Sequence, residues 1–181
     1  GNEPKSTTLL KYTGEIESYD LAEDFKLYLL EEVLKIKLTE SLREQLSGVY
    51  TVGVGTEYAR QPYPNYSITL TIPSAPENVD ALVAAAKKEI EALRSQGPSL
   101  ADFAKVKKNY LTRLAIRQKE NSYWLGKLAQ FDYDGMDPSL IPEYNRNLLA
   151  NMSLIDLQQA ARRYFNVNHV FEAVLSPEPI P

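Results

Sequence analysis

The segment Y-S-I-T-L-T-I, residues 66–72, constrains the fold more than any other part of the chain. Apolar and polar side chains alternate along its whole length. Because successive side chains of a strand point to opposite faces of a sheet, this pattern predicts a strand with one buried face and one polar face. The sheet that contains it therefore needs a cover of other elements on one side only.

Three further segments have the composition of strands. We predict a first strand over Thr7–Thr13, a second over Val49–Val54 and a last one over His169–Leu175. The polar, proline-containing stretch Thr56–Pro64 is predicted to be a loop. Since two neighbouring strands joined by a loop should pair as a hairpin, we expect a largely antiparallel sheet of about four strands.

Helical spacing of apolar residues predicts the remaining elements. A long helix should span Leu21–Leu46, although a break near Thr39 could interrupt it, and Gly48 is well placed to end it. Its apolar residues at helical spacing are Leu21, Phe25, Tyr28, Leu29, Val33, Ile36 and Leu38. Ser74 with Glu77 resembles a capping box, and Ser99 with Asp102 should begin another helix. More helices are expected at 121–131, 138–149 and from Ser153 onwards. Helices packed on one face of the sheet make a two-layer α+β fold.

Composition excludes several functional classes. The 181 residues carry a net charge of −4 with a pI near 5.2, which argues against a nucleic-acid-binding domain. There is no cysteine, so disulfides, thiolate metal sites and a cysteine nucleophile are excluded. No apolar run approaches the ~20 residues of a membrane span. We interpret residues 1–6 as a cleavage scar or linker, 7–176 as one domain and 177–181 as a Pro-rich tail, within a fragment of a longer protein.

Few residues are candidates for chemistry. His169 is the only histidine, which rules out a zinc site built on histidines, and neither H-x-x-E-H nor H-E-x-x-H occurs. A surface or turn position is the expected place for His169. The glycines at 53 and 55 lack the other residues of a phosphate-binding loop. A basic cluster is expected to be a solvated helix face; it contains Lys105, Lys107, Lys108, Arg113 and Arg117.

Arg43 and Tyr50 are the remaining candidates. They lie at the predicted junction of the long helix and the second strand, where a guanidinium and a phenol could converge on a peptide carbonyl. The structural alternatives are an ion pair of Arg43 with Glu40, worth ~0.3 kcal/mol, and an ordinary strand position for Tyr50. Residue chemistry alone leaves both interpretations open.

The nine residues around this junction, L-R-E-Q-L-S-G-V-Y, follow a long Leu-rich helix. Together with L-L-K-Y-T-G near the start, the S-I-T-L-T-I strand and E-N-S-Y-W further on, they resemble the C-terminal domain of the pitrilysin/insulinase family of zinc metallopeptidases. The resemblance covers most of the chain, and the arginine, glycine and tyrosine at this spacing are its most specific part.

The resemblance implies a non-catalytic C-terminal domain that encloses peptide substrate opposite the zinc-bearing domain. Arg43 would bind substrate backbone, and Tyr50 would donate a hydrogen bond to the carbonyl as it becomes an oxyanion. This chain would hold no cofactor, and zinc would lie on another domain of the same chain or on a homologous partner subunit. A bacterial periplasmic location is also implied.

Two other functions remain open from the sequence. The chain could be a structural or scaffold domain of an inactive family member or partner subunit. It could also be a free-standing peptide-binding module.

Overall fold

Strands β1 (Ser6–Glu15), β2 (Gly53–Ala59), β3 (Asn65–Ser74) and β4 (Val170–Leu175) form an antiparallel sheet in the order β2-β3-β1-β4. The computed structural model describes residues 4–45 and 52–178, and describes residues 43–45 by their backbone only. The strand β1 is central, since Leu10 faces Leu70 on one side and Glu172 on the other. The prediction of a four-stranded antiparallel sheet in an α+β fold is confirmed.

The chain divides into two units, one formed by residues 1–98 and 154–181 and the other by 99–153. The first unit contains the sheet and the helices α1 (Leu21–Gln45), α2 (Val79–Gln96) and α6 (Leu154–Tyr164). The second contains α3 (Leu100–Arg117), α4 (Asn121–Tyr133) and α5 (Ile141–Asn151). Short 3₁₀ turns precede α2 and α5, at Pro76–Asn78 and Pro138–Leu140.

The core of the first unit lies between one face of the sheet and its three helices. Leu10, Ile68 and Leu70 are fully buried, and their strands present every second residue to this face. The helix α1 is buried on more than one side, because α2, α6 and β2 all pack against it. Its buried residues are Leu27, Leu29, Leu30, Val33, Leu34, Leu38 and Leu42.

A hydrogen-bonded aromatic cluster joins the sheet to α1 and α6. The Tyr164 ring is fully buried and packs edge-on against Tyr66, with ring centroids 4.8 Å apart. Its hydroxyl donates to Glu23 Oε2 at 2.5 Å. Tyr66 in turn occupies the space beside Gly14, where an added Cβ would lie only 2.5 Å from the Tyr66 ring. A side chain at position 14 would therefore displace the Tyr66 ring.

The second unit is a set of three helices with its own contacts. The predicted cap of α3 is confirmed, because the Asp102 amide donates to Ser99 Oγ at 3.0 Å. The Trp124 indole donates to the Gln118 carbonyl at 2.8 Å, which fixes α4 at the end of α3. The predicted solvated face of α3 is also confirmed for four of its five basic residues; Lys107 is half-buried and donates to the Met152 carbonyl.

Three local predictions are wrong. The segment 56–64 is not a loop throughout, since β2 continues to Ala59 in register with β3. Ser74 is the last residue of β3 and caps no helix; α2 begins only at Val79. The helix α1 is unbroken at Thr39, whose hydroxyl donates to the Lys35 carbonyl one turn back. Propensity for caps and turns was in each case overridden by strand pairing or helix packing.

No helix within residues 4–45 and 52–178 combines the length and the apolar character that crossing a bilayer requires.

Candidate functional site

The predicted site falls largely outside the part of the chain that the structure describes. The backbone of Arg43 lies in the last turn of α1, but its side chain is not described. Tyr50 belongs to the undescribed segment 46–51, as does Gly48. The convergence of Arg43 and Tyr50 therefore stays a prediction.

The elements on both sides of this segment are held firmly in the core. Before it, Leu42 of α1 is 2% exposed; after it, Val54 of β2 is 7% exposed. The segment thus connects two anchored ends of the same unit, and β2 begins at Gly53 opposite Thr71. The predicted order of helix and strand is confirmed, but only 52–54 of the predicted strand Val49–Val54 lie within the described residues, and β2 extends to Ala59.

A half-buried carboxylate of α1 ties this helix to β2. Glu31 Oε2 accepts hydrogen bonds from the Thr56 amide at 3.0 Å and from the Thr56 hydroxyl at 2.6 Å. Lys35 Nζ lies 2.5 Å from the other oxygen of Glu31 and 3.2 Å from Glu32. Burial alone would lower the pKa of Lys35, but its bonds to Glu31 and Glu32 raise it above its ordinary value. This cluster fixes the spacing between helix and strand and was not found from the sequence.

The pKa values of Glu23 and Tyr164 in the aromatic cluster are shifted in opposite directions. Burial and the bond to Glu23 raise the pKa of Tyr164 far above that of a free phenol. Burial of Glu23 would raise the pKa of that carboxyl, but hydrogen bonds from Lys26 and Tyr164 lower it below its usual value. The phenol is fully buried and already bonded, so we assign it to stabilising the fold rather than to contacting substrate.

An open polar cleft of about 710 Å³ lies at the other end of the sheet, where β1 ends and β3 begins. Both charge signs line it, with Lys11 and Arg163 opposed by Glu15 and Glu57. His169 also borders it from a turn in which its amide donates to the Asn166 carbonyl at 3.0 Å. The prediction of a turn position for His169 is confirmed.

No metal centre is formed by the described residues. Within 4–45 and 52–178, no group of three or more His, Cys, Asp or Glu side chains is arranged to hold an ion. The side chains of the described residues do not fit a zinc ion.

Comparison with known proteins identifies the family. Residues 2–110 match the model of the peptidase M16 inactive domain. The chain belongs to this family. The resemblance to the C-terminal domain of pitrilysin/insulinase zinc peptidases is thereby confirmed, and the chain is an inactive domain of the M16 zinc protease family.

Individual relatives of this M16 domain are longer proteins. The chain is 27% identical over 147 residues to the chloroplastic stromal processing peptidase of Pisum sativum. The aligned region covers 81% of the chain but only 11% of that protein. The periplasmic protease PqqL of Escherichia coli has the same fold with a TM-score of 0.77 and 23% identity, over 98% of the chain and 20% of PqqL.

A variant of the ferredoxin protease FusC, solved with Arabidopsis ferredoxin, also shares the fold. Its TM-score is 0.77 at 16% identity, covering 94% of the chain and 19% of FusC. The M16 domain described here therefore spans only a small part of each of these three proteins.

Proposed function

We propose that this M16 domain lines the substrate chamber of a larger zinc peptidase and contacts peptide substrate without performing the metal chemistry itself. The match to the inactive domain family over residues 2–110 carries the proposal. The zinc would lie on another domain of the same chain or on a homologous partner subunit.

Arg43 and Tyr50 are the proposed contacts to the substrate. An arginine in the last turn of α1 stays charged at any physiological pH and can donate to peptide carbonyl oxygens. A phenol placed beside the scissile carbonyl would donate to the oxygen as negative charge develops on it. Both residues lie close in sequence to buried positions, since Arg43 follows Leu42 directly and Tyr50 precedes Val54 by four residues.

The three relatives support a protein or peptide as the substrate. FusC is a ferredoxin protease crystallised with ferredoxin, and the Pisum sativum protein is a processing peptidase. PqqL is a periplasmic protease, which supports the same compartment for the parent of this domain.

The test is Tyr50→Phe in the full-length protein. Removal of one oxyanion donor should lower peptide turnover by about 100-fold, while the zinc content measured by metal analysis stays unchanged. Tyr133→Phe is the matched control, since this tyrosine is 68% exposed on α4 and far along the chain from the junction. Wild-type turnover in Tyr50→Phe would remove Tyr50 from the mechanism.

Peptide turnover by the unmutated full-length protein, together with its sequence, tests the alternative of a scaffold domain. A parent protein that lacks both turnover and an H-x-x-E-H motif, and has no active partner subunit, would favour a purely structural function for this domain.

A further inference from the structure

The outer edge of β4 is a strand edge with unpaired backbone groups. The strand lies at the end of the sheet, and no strand within residues 4–45 and 52–178 pairs with its outer side. The Thr13 amide donates to the His169 carbonyl, which sets the hydrogen-bonding phase of the β1–β4 ladder. Because bonded and non-bonded pairs alternate in an antiparallel ladder, the N–H and C=O groups of Val170, Glu172 and Val174 point outward.

Devices that normally prevent pairing are missing from this edge. The strand V-F-E-A-V-L contains no proline or lysine, and its one charge is already paired, since Lys87 Nζ lies 2.6 Å from Glu172. Large apolar side chains are exposed along it, with Phe171 at 59% and Leu175 at 75% exposure. An edge of this kind is a template for another strand.

We propose that β4 pairs with β4 of a second copy of this chain, antiparallel and about a two-fold axis through Glu172. In this register Val170 of one copy faces Val174 of the other, and each outward-pointing residue exchanges an N–H···O pair with its counterpart. The arrangement pairs residues 170–174 of the two strands, leaves Leu175 beyond the paired segment, and makes the two sheets one continuous sheet.

Side chains on both faces fit this register. On the face away from the helices, the exposed ring of Phe171 lies over the small Ala173 of the partner, as a closely spaced non-bonded pair. On the opposite face, Val170 meets Val174. The two Glu172 carboxylates are brought together, but each has its own Lys87 to neutralise it.

Shifted registers fit less well. An axis through Phe171 would place the two large rings directly opposite each other and leave Val174 unpaired. An axis through Ala173 would place two small residues opposite each other and leave Val170 unpaired. The register centred on Glu172 is thus the one that the side-chain sizes favour.

The expected affinity is modest. A strand edge buries less surface than the ~1,000 Å² typical of a stable interface, so we expect a dissociation constant on the order of micromolar. Sedimentation of the 181-residue chain from about 0.1 to about 100 μM brackets that value. The measured mass should rise from 20.5 kDa towards twice that figure.

A pair of variants at one position tests the edge itself. Val174→Pro removes an outward N–H without removing a β1–β4 hydrogen bond, so dimerisation should weaken at least tenfold. Val174→Thr keeps the N–H and the branched shape, and should sediment like the wild type. Circular dichroism and thermal unfolding show whether the proline variant keeps its fold.

Cross-linking tests the register independently. The chain has no cysteine, so Glu172→Cys introduces a single thiol at the proposed axis, and a short bis-maleimide should link two copies. Gly55→Cys is the control on the opposite edge, where an added Cβ meets nothing within 4 Å. A 20.5 kDa monomer at every concentration, a dimer that survives Val174→Pro, or equal linking at both cysteines would overturn the proposal.

Discussion

The two edges of the sheet are treated differently by the helices that pack beside them. At β2 the outward amide of Thr56 is bonded to Glu31, whose side chain is 12% exposed. At β4 a helix also supplies a charged side chain, but Lys87 reaches only the carboxylate of Glu172 and leaves the backbone groups unpaired. A carboxylate can accept a hydrogen bond from a backbone N–H at a strand edge. An ammonium group cannot, because it only donates hydrogen bonds.

The two edge strands differ in how their outward amides are bonded and not in how well they are formed. Both edge strands are antiparallel to their neighbours and in continuous register, so neither is a weakly formed strand. The difference lies in what the next layer offers to the outward-facing amides. We therefore expect strand pairing with a second chain at β4 and not at β2.

Glu31→Ala should give the largest change in the free energy of unfolding. It should also make the β2 edge as open to pairing as the β4 edge. The half-buried amide and hydroxyl of Thr56 lose their acceptor, and we expect the free energy of unfolding to fall by about 2 kcal/mol. Urea denaturation measures this loss. In the same background, Gly55→Cys should begin to cross-link, because the β2 edge is now unprotected.

Glu31→Gln is the matched control for that variant. A glutamine keeps one oxygen that can accept from Thr56, so most of the stability and the low cross-linking at Gly55→Cys should be retained. Equal stability of Glu31→Ala and the wild type would show that the carboxylate does not hold β2.

Removing the Glu23–Tyr164 hydrogen bond should change stability less, and in a pH-dependent way. It should not alter the difference between the two sheet edges. The folded pKa of Glu23 lies below its unfolded value, so its contribution is present above about pH 4.5 and is lost as pH falls through the folded pKa. The pKa of Tyr164 is raised, so its contribution is present below about pH 10 and is lost above it.

Unfolding free energies across this pH range measure both losses. Glu23→Gln should flatten the acid side of the stability profile, and Tyr164→Phe should flatten its alkaline side. Cross-linking of Glu172→Cys at neutral pH should be unaffected by either change, since neither residue belongs to β4. If the free energy of unfolding depended on pH in both variants as it does in the wild type, Glu23 and Tyr164 would not be the groups responsible.

Thr8→Val should give the smallest effect and sharpen the comparison from the β4 side. Thr8 is 1% exposed, its hydroxyl has no hydrogen-bond partner, and it faces Val174 across the ladder. Valine has nearly the same shape, so unfolding should become about 1 kcal/mol less favourable. Dimerisation should not change, because the outward N–H of Val174 is retained; a destabilised variant would show that the hydroxyl is bonded.

The sequence predicted most of the architecture because the strongest patterns are local. Alternation over 66–72 identified β3, and the Ser99 and Asp102 pair identified the start of α3, both from neighbouring residues. The failure at Ser74 has a non-local cause. Ser74 pairs with Ser6 at the far end of the ladder between β1 and β3, a partner that no local pattern reveals.

The buried face of α1 was also predicted incompletely. Helical spacing selected Phe25, Tyr28 and Ile36, which are half-buried, and omitted Leu27 and Leu34, which are fully buried. A helix enclosed on several sides has no single apolar stripe, so periodicity cannot identify its core positions. The bond from Glu31 to Thr56 spans 25 positions and was invisible for the same reason.

The absence of a side chain at Gly14 has a consequence for how such domains diverge. The Tyr66 ring fills the space that a methyl group at position 14 would need, and Tyr164 rests on that ring. Replacement of the glycine alone would displace one aromatic and disturb the next. We therefore expect descendants of this domain to exchange the glycine and the tyrosine as a pair, and seldom one without the other.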